Sequence, residues 1–492
     1  MKSNRAPSIA DILFLVVAPL TAITRTVKLT HSDGDLAAHI RMGQVILETR
    51  QIPPHSLASF TASNEPLIAH AWLSEVIFAA LFSVGGLAIL SVVTGIIVAA
   101  THASIALFLR ARGVDPRWAL AAALISLAVG STHWLARPHM FSILGVALTL
   151  YLLESGSRGR LPLIALLFAV WANLHGGWLY GLMMIALYVA GSAIEAGWAA
   201  GRRAEWLKEV RSHSAAFLVA GAATLLNPYG LGLHAEVVSG AVSPTLAGQM
   251  GEFMSPDFQA LAPLPFLLAL LLSVALLATT TRRLSAPHLL LVGISLLLAL
   301  RSFRNMALFG VTAWPIIALH VARAWPERGR RFRWFTEIAR LDKTTRPGLY
   351  ALPIAIVLLI VGLNRGRVFG EQLIREDFSP RKFPSAAVAG LRAAGLDQDR
   401  IFEPWEWGGY IMYSWPSARL AVDPLKFNDS TTHMYSIIDA VQPGWQDEIA
   451  RWDIRTVIVH PDSRLARGLE REPGWAKWYS DSTAVVFRPA SD

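Results

Sequence analysis

His31-Ser32-Asp33-Gly34-Asp35-Leu36-Ala37-Ala38-His39-Ile40, residues 31–40, follows the first apolar run and sets two carboxylates two residues apart at the start of a polar loop. Carboxylates at that spacing can share a divalent cation or a sugar phosphate, so a chain that presents them at one face of a bilayer is equipped for chemistry there. The blander reading is that Asp33 and Asp35 cap the helix beginning at Leu36, because Asp is favoured at helix N-termini. One cap accounts for one aspartate, not for two.

What surrounds this loop is membrane. Of the 492 residues 53% are hydrophobic and 16% charged, and the mean hydropathy is +0.43, too apolar for a soluble chain of this length. Apolar runs of roughly 15 to 24 residues suit helices that cross the hydrocarbon. They fall at 9–27, 87–109, 117–134, 139–154, 161–175, 177–197, 214–228, 262–280, 286–300, 304–322 and 349–364, about eleven crossings. Residues 72–85, joined closely to Gly85-Gly86, are too short for a separate crossing and read as a helix at or partly in the membrane. The fold class is therefore a polytopic α-helical membrane protein.

Lys and Arg resist translocation and so report orientation. Lys2 and Arg5, then Arg110, Arg112 and Arg117, Arg158 and Arg160, Arg202, Arg203, Lys208 and Arg211, and Arg282 and Arg283 mark alternate loops. The last connection, 323–346, adds Arg323, Arg328, Arg330, Arg331, Arg333, Arg340, Lys343 and Arg346. These loops are cytoplasmic by this rule, as is the N-terminus, and residues 227–261 contain no Lys or Arg. An odd number of crossings puts the tail outside. The net charge of +9 thus reports topology and contact with the anionic lipid bilayer, not nucleic acid. The first apolar run lacks a small-residue cleavage site and reads as a retained anchor. With no cysteine there is neither disulfide nor thiolate metal site, and a bacterial cytoplasmic (inner) membrane with an outward-facing domain fits the pattern.

The first outside loop, 28–71, continues from the aspartates into an amphipathic stretch in which Leu36, Ile40, Gly43 and Leu47 recur at helical spacing, suited to a helix on the membrane surface. Residues 51–61 read as extended, and His70, Trp72 and Glu75 lead back to the bilayer. Further outside loops bring Arg137-Pro138-His139, Asn173 to Gly177 with His175, Asn227 to Gly230, Glu252, and Arg301 with Arg304 to the same face. Each has a structural explanation, since Asn-Pro and Gly-Gly punctuate helix ends and Arg snorkels. As a group they point to a site, because ionisable residues at membrane depth are costly.

Residues 1–364 form the transmembrane domain, and 365–492 change composition and read as a C-terminal extracytoplasmic α/β domain, with helices at 384–395, 431–441 and 445–452 and strands near 399–403, 419–423, 455–460 and 483–488. Its distinctive run is Trp405-Glu406-Trp407-Gly408-Gly409-Tyr410. Aromatics bracketing an acid and a Gly-Gly turn form either a shelf for a sugar ring or peptide, or a turn whose Trp residues pack inward.

An Asp-bearing first outside loop, a helix after it, about eleven to thirteen crossings and an outside C-terminal domain together resemble the GT-C superfamily of integral-membrane glycosyltransferases, which move a sugar from a polyprenyl-phosphate carrier to an acceptor at the outer face. The likeness covers the whole chain as architecture and is most specific at 33–75, 137–142, 171–177 and 402–423. Trp405, Glu406, Trp407, Gly408 and Tyr410 are also similar to the WWDYG motif by which oligosaccharyltransferases read their acceptor. The resemblance implies a lipid-linked sugar donor, a saccharide, lipid or protein acceptor, and Asp35 or Asp33 as base or as ligand of a divalent cation, Mg or Mn. Arg137, Arg301 and Arg304 become phosphate-binding candidates, His39, His139 and His175 candidate lining groups, and Glu252 a second carboxylate. Many members carry a second acidic motif in the next outside loop, where this chain has His133, Arg137 and His139. Either Asp33 or Asp35 shares a metal with His139 or Glu252, or Arg137 neutralises the carrier phosphate without one. A transporter or flippase, a polysaccharide polymerase or ligase, and a non-catalytic assembly protein are the rival classes. The Asp pair and the outside domain favour the transferase, and neither midplane charges nor an internal repeat supports transport.

Overall fold

The computed structural model describes residues 6–24, 27–155, 159–198, 200–243, 251–324, 342, 345–375, 377–426 and 429–490. Lys2, Arg5, Arg158 and, in the last connection, Arg328, Arg330, Arg331, Arg333, Arg340 and Lys343 lie outside the described residues. The chain divides into two compact units, one of Met1–Arg25, Ser91–Trp134 and Pro138–Val361, the other of Thr26–Leu90, Leu135–Arg137 and Gly362–Asp492.

The first unit is helical. Three helices among the described residues are long and apolar enough to cross a membrane, Trp178–Trp198, Phe303–Ala324 and Trp72–Ala111, the last of which belongs to the second unit up to Leu90. Seven shorter apolar helices run 10–17 residues. At 1.5 Å per residue those shorter helices span less than the ~30 Å of hydrocarbon. The longest helix is broken at Gly86 (φ 61, ψ −149), which separates 72–85 from the rest as the sequence suggests. Two boundaries differ from expectation. Instead of 214–228, the helix covers Arg203–Ala223 and stops before Leu225-Leu226; Asn173 Nδ2 donates to the Leu226 carbonyl and Asn227 Nδ2 to the Thr224 carbonyl, both at 2.8 Å, and Pro228 disfavours a helical Asn227. Residues 231–242, read as loop, form a helix that starts after Gly230 (φ 53).

The second unit is α/β. Strands β1 (Arg367–Val368) and β2 (Glu371–Gln372) form a small hairpin, and β3 (Arg400–Phe402), β4 (Arg419–Leu420), β5 (Ile454–Val459), β6 (Trp475–Ser480) and β7 (Val485–Pro489) make a sheet of order β4-β3-β5-β7-β6. β3 runs parallel to both β4 and β5, while β7 is antiparallel to β5 and β6. Successive strand residues enter opposite cores: Phe402, Val457, Val459, Val485 and Phe487 on one face, Ile401, Ile458 and Val486 on the other. Both faces are covered at β5 and β7, which is why those two read as apolar runs, whereas the edge strand β6 is largely exposed. The first loop joins this sheet. Phe60 N–H donates to the Leu420 carbonyl at 3.0 Å and Leu420 N–H to the Ala58 carbonyl at 2.9 Å, beside β4.

The helix after the aspartates spans Gly34–Thr49. Most of its apolar face is taken up by protein rather than by a membrane surface: Leu36 and Ile40 are fully buried, Ala38 enters the core beneath Trp407 and Ile411, and Met42 and Ile46 meet Leu67, while Leu47 is exposed. Trp405–Ser414 is a helix, not a Gly-Gly turn. Each Gly costs that helix ~1 kcal/mol relative to Ala, and tertiary packing explains one of them. A Cβ on Gly409 would stand 2.2 Å from the Gly34 carbonyl oxygen, and one on Gly34 2.2 Å from the Glu406 carbonyl oxygen, so the two backbones cross in contact.

Candidate active site

Gly34 lies between the two aspartates, so the helix crossing that needs it also fixes their place. Asp33 is the helix N-cap and accepts from the Asp35 N–H at 3.1 Å. It also accepts from Arg137, whose Nε lies 3.0 and 2.8 Å from its two oxygens and whose Nη2 lies 2.7 Å from Oδ1. Arg137 Nη1 reaches Asp35 Oδ2 at 2.7 Å. The arginine is held in turn by its backbone, since Ala136 N–H donates to the Leu29 carbonyl at 3.1 Å. One guanidinium thus bridges both carboxylates in the fork geometry that suits Arg.

The two aspartates differ in access. The Asp33 side chain is 1% exposed, that of Asp35 34%. Asp33 is a buried cap and counter-ion, whereas Asp35 faces out with one oxygen on Arg137. With all three groups ionised the cluster carries one net negative charge, which suits a base and does not by itself attract phosphate.

These carboxylates do not fit a divalent cation in this arrangement. Both Asp33 oxygens are taken by Arg137, a cation at their contact distance repels a second one, and among the described residues no group of three or more His, Asp or Glu side chains is placed to hold a metal.

Asp35 and His39 are one turn apart on the same helix face. His39 Nδ1 lies 3.2 Å from Glu75 Oε1, and Glu75 is buried with Oε2 lacking a hydrogen-bond partner among the described residues. Gly43 permits this approach, since a Cβ there would lie 1.9 Å from the Glu75 carbonyl oxygen. Glu75 was not among the expected site residues; an acid near the start of an apolar helix is the signal that marks it. Asp423, also unanticipated, is buried and accepts from Leu425 N–H at 2.7 Å. Burial above all, with the nearby Glu75 charge, raises its pKa.

The Trp405–Ser414 helix distributes its motif between surface and core. Trp407 is fully buried and donates from Nε1 to the Lys382 carbonyl at 2.8 Å. Tyr410 stacks on Phe383 at 4.7 Å, and Trp405 packs on Tyr435 at 5.0 Å between ring centroids. Glu406 is exposed and pairs with His460 at 3.0 Å, which holds its carboxyl below the ordinary range. Trp407 therefore takes the inward packing, while Trp405 and Glu406 keep exposed surface.

The remaining expected residues belong to the first unit. His139 is buried, and its Nε2 lies 2.9 Å from the His133 carbonyl. His175 Nδ1 lies 2.7 Å from Ser142 Oγ, which also accepts from Trp171 Nε1 at 2.7 Å, and Gly177 N–H lies 3.0 Å from the same ring nitrogen. His139 and His175 rings stand 6.5 Å apart. Glu252 and Arg304 form a 3.6 Å ion pair, with the Arg304 guanidinium over Phe253. Arg301 is exposed at the end of its helix.

No protein-family profile and no curated protein sequence matches the chain. Solved structures do, at the level of fold. The apo oligosaccharyltransferase of Archaeoglobus fulgidus aligns with a TM-score of 0.57 at 9% identity, over 91% of this chain and 69% of that one. The oligosaccharyltransferase AglB of the same organism, in complex with an inhibitory peptide and a dolichol-phosphate, aligns with a TM-score of 0.54 at 11% identity, over 98% and 74%. The arabinofuranosyltransferase AftD from Mycobacteria gives 0.52 at 13%, over 97% of this chain and 40% of that one. The chain has the GT-C fold of these membrane glycosyltransferases.

Proposed function

We propose that this chain is a membrane glycosyltransferase that moves a sugar from a polyprenyl-phosphate-linked donor to an acceptor at the outer face of a bacterial cytoplasmic membrane. About eleven crossings in 1–364, a cytoplasmic N-terminus and an extracytoplasmic domain at 365–492 complete the reading, supported by the alternation of basic loops and by the fold. The observation that carries it is the unequal pair of aspartates on one arginine. Asp35, partly exposed beside Arg137, is the base that takes the proton from the acceptor hydroxyl as that oxygen attacks the anomeric carbon. Asp33 holds Arg137, and Arg137 orients Asp35. The departing polyprenyl phosphate needs positive charge, which Arg301 and Arg304 are proposed to supply. In the second unit His39 is the proposed lining group, and the exposed part of Trp405, Glu406 and Tyr410 is the proposed acceptor shelf; His139, His175 and Glu252 are the candidates in the first unit.

The test is sugar transfer from radiolabelled polyprenyl-phosphate donors by purified protein in liposomes. Asp35→Asn is expected to lose about 10²- to 10⁴-fold in rate, the usual worth of a positioned base, with folding intact. A chelator arm reports any metal requirement. Wild-type rates in Asp35→Asn overturn the assignment.

A further inference from the structure

The first unit holds a cavity of about 440 Å³, remote in sequence from the aspartates and lined by Ile194, Leu277, Leu290 and other apolar side chains, with Arg282 and Arg283 also in its wall. Liquid water occupies ~30 Å³ per molecule, so this is space for a chain rather than for a single small group. The charged edge is a built one. Glu195, 1% exposed, accepts from Ala286 N–H at 2.9 Å and from Arg283 Nη2 at 3.0 Å. His320 Nε2 lies 2.6 Å from the Arg282 carbonyl oxygen. A Cβ on Gly191 would lie 2.3 Å from the Pro287 nitrogen, so the start of helix Ala286–Arg301 sits directly on helix Trp178–Trp198. These contacts fix residues 282–287 and neutralise Arg283. Among the described residues no acid pairs with Arg282, which is exposed. Trp198, 72% exposed, adds the amphipathic ring found where membrane meets water.

We infer that this cavity binds one anionic phospholipid, its phosphate on Arg282 and an acyl chain among Ile194, Leu277 and Leu290. An apolar cavity in a membrane helix bundle is filled most favourably by hydrocarbon, and a cation carried at its mouth on a held backbone selects a negative headgroup. In the orientation proposed above the lipid comes from the inner leaflet. The inference does not depend on the transferase reading.

The test is native mass spectrometry of the full chain after exchange into equal amounts of phosphatidylglycerol and phosphatidylcholine. One bound phosphatidylglycerol is expected, preferred about fivefold, the ratio that ~1 kcal/mol for one basic group gives. Arg282→Ser should abolish the preference and Arg282→Lys retain it, while Leu290→Trp, which fills the cavity, should reduce retention of both lipids. Equal retention by the wild type, a preference that survives Arg282→Ser, or displacement of phosphatidylglycerol by a polyprenyl phosphate overturns it. A thermal melt of each variant separates lost binding from lost folding; should Arg282→Ser not fold, the lipid preference and Leu290→Trp still decide the outcome.

Discussion

Asp33 and Asp35, two residues apart, do different work because the N-cap Asp33 is buried while Asp35, in the helix's first turn, is partly exposed. Replacing Asp33 with Asn keeps one acceptor oxygen but removes the charge behind the three contacts to Arg137, and should destabilise the protein by about 2–3 kcal/mol, read as a lowered melting temperature, before it touches the chemistry. Asp35→Asn should do the reverse. Glu403 gives a prediction in pH. It is fully buried and accepts from the Ala421 and Val422 N–H groups at 3.1 and 3.0 Å, and burial pushes its pKa well above its ordinary 4.5. The folded chain therefore keeps a proton that the unfolded chain releases. Its stabilisation is complete below the unfolded value and is lost as pH rises through the folded one. Thermal unfolding across pH should show that decline, and Glu403→Gln should flatten it.

Among the elements, the crossing of Gly34–Thr49 with Trp405–Ser414 positions the site. The glycines supply an internal control. Gly409→Ala places a Cβ 2.2 Å from a backbone oxygen, whereas at Gly408 the nearest atom is 3.6 Å away. Gly409→Ala is expected to cost about 1–3 kcal/mol through overpacking and to lower transfer by displacing the aspartates, while Gly408→Ala should fold and act as wild type. Equal melting temperatures for the two variants would remove the crossing from the account. Helical spacing of Leu36, Ile40, Gly43 and Leu47 was legible as an apolar face. What covers that face was not, because a membrane surface and a protein surface select the same amphipathic pattern.

For the whole molecule, topology is the quantity to measure, and the absence of cysteine makes it accessible. A single cysteine at Ser417, in the tail, should react with a membrane-impermeant maleimide in intact cells, and one at Arg202, in a basic loop, only after the membrane is opened. The opposite labelling overturns the orientation. The GT-C fold was legible because about eleven apolar runs, an acidic first loop and a polar tail are each long-range features of composition. Helix ends such as Ala223 were less so, since Asn173, fifty residues away, decides where that helix stops.

By itself, then, the sequence determined the membrane class, the α/β tail and the Asp-Gly-Asp loop as the place to look, because hydropathy, periodicity and charge are local and additive along the chain. Tertiary structure alone decided that the first loop packs into the same unit as the tail, that Trp405-Glu406-Trp407-Gly408-Gly409-Tyr410 is a helix, that Arg137 binds both aspartates and that Glu75 and Asp423 are buried nearby. Those outcomes depend on which backbones approach within contact distance, and segments as far apart as Gly34 and Gly409 carry no mark of each other until they meet.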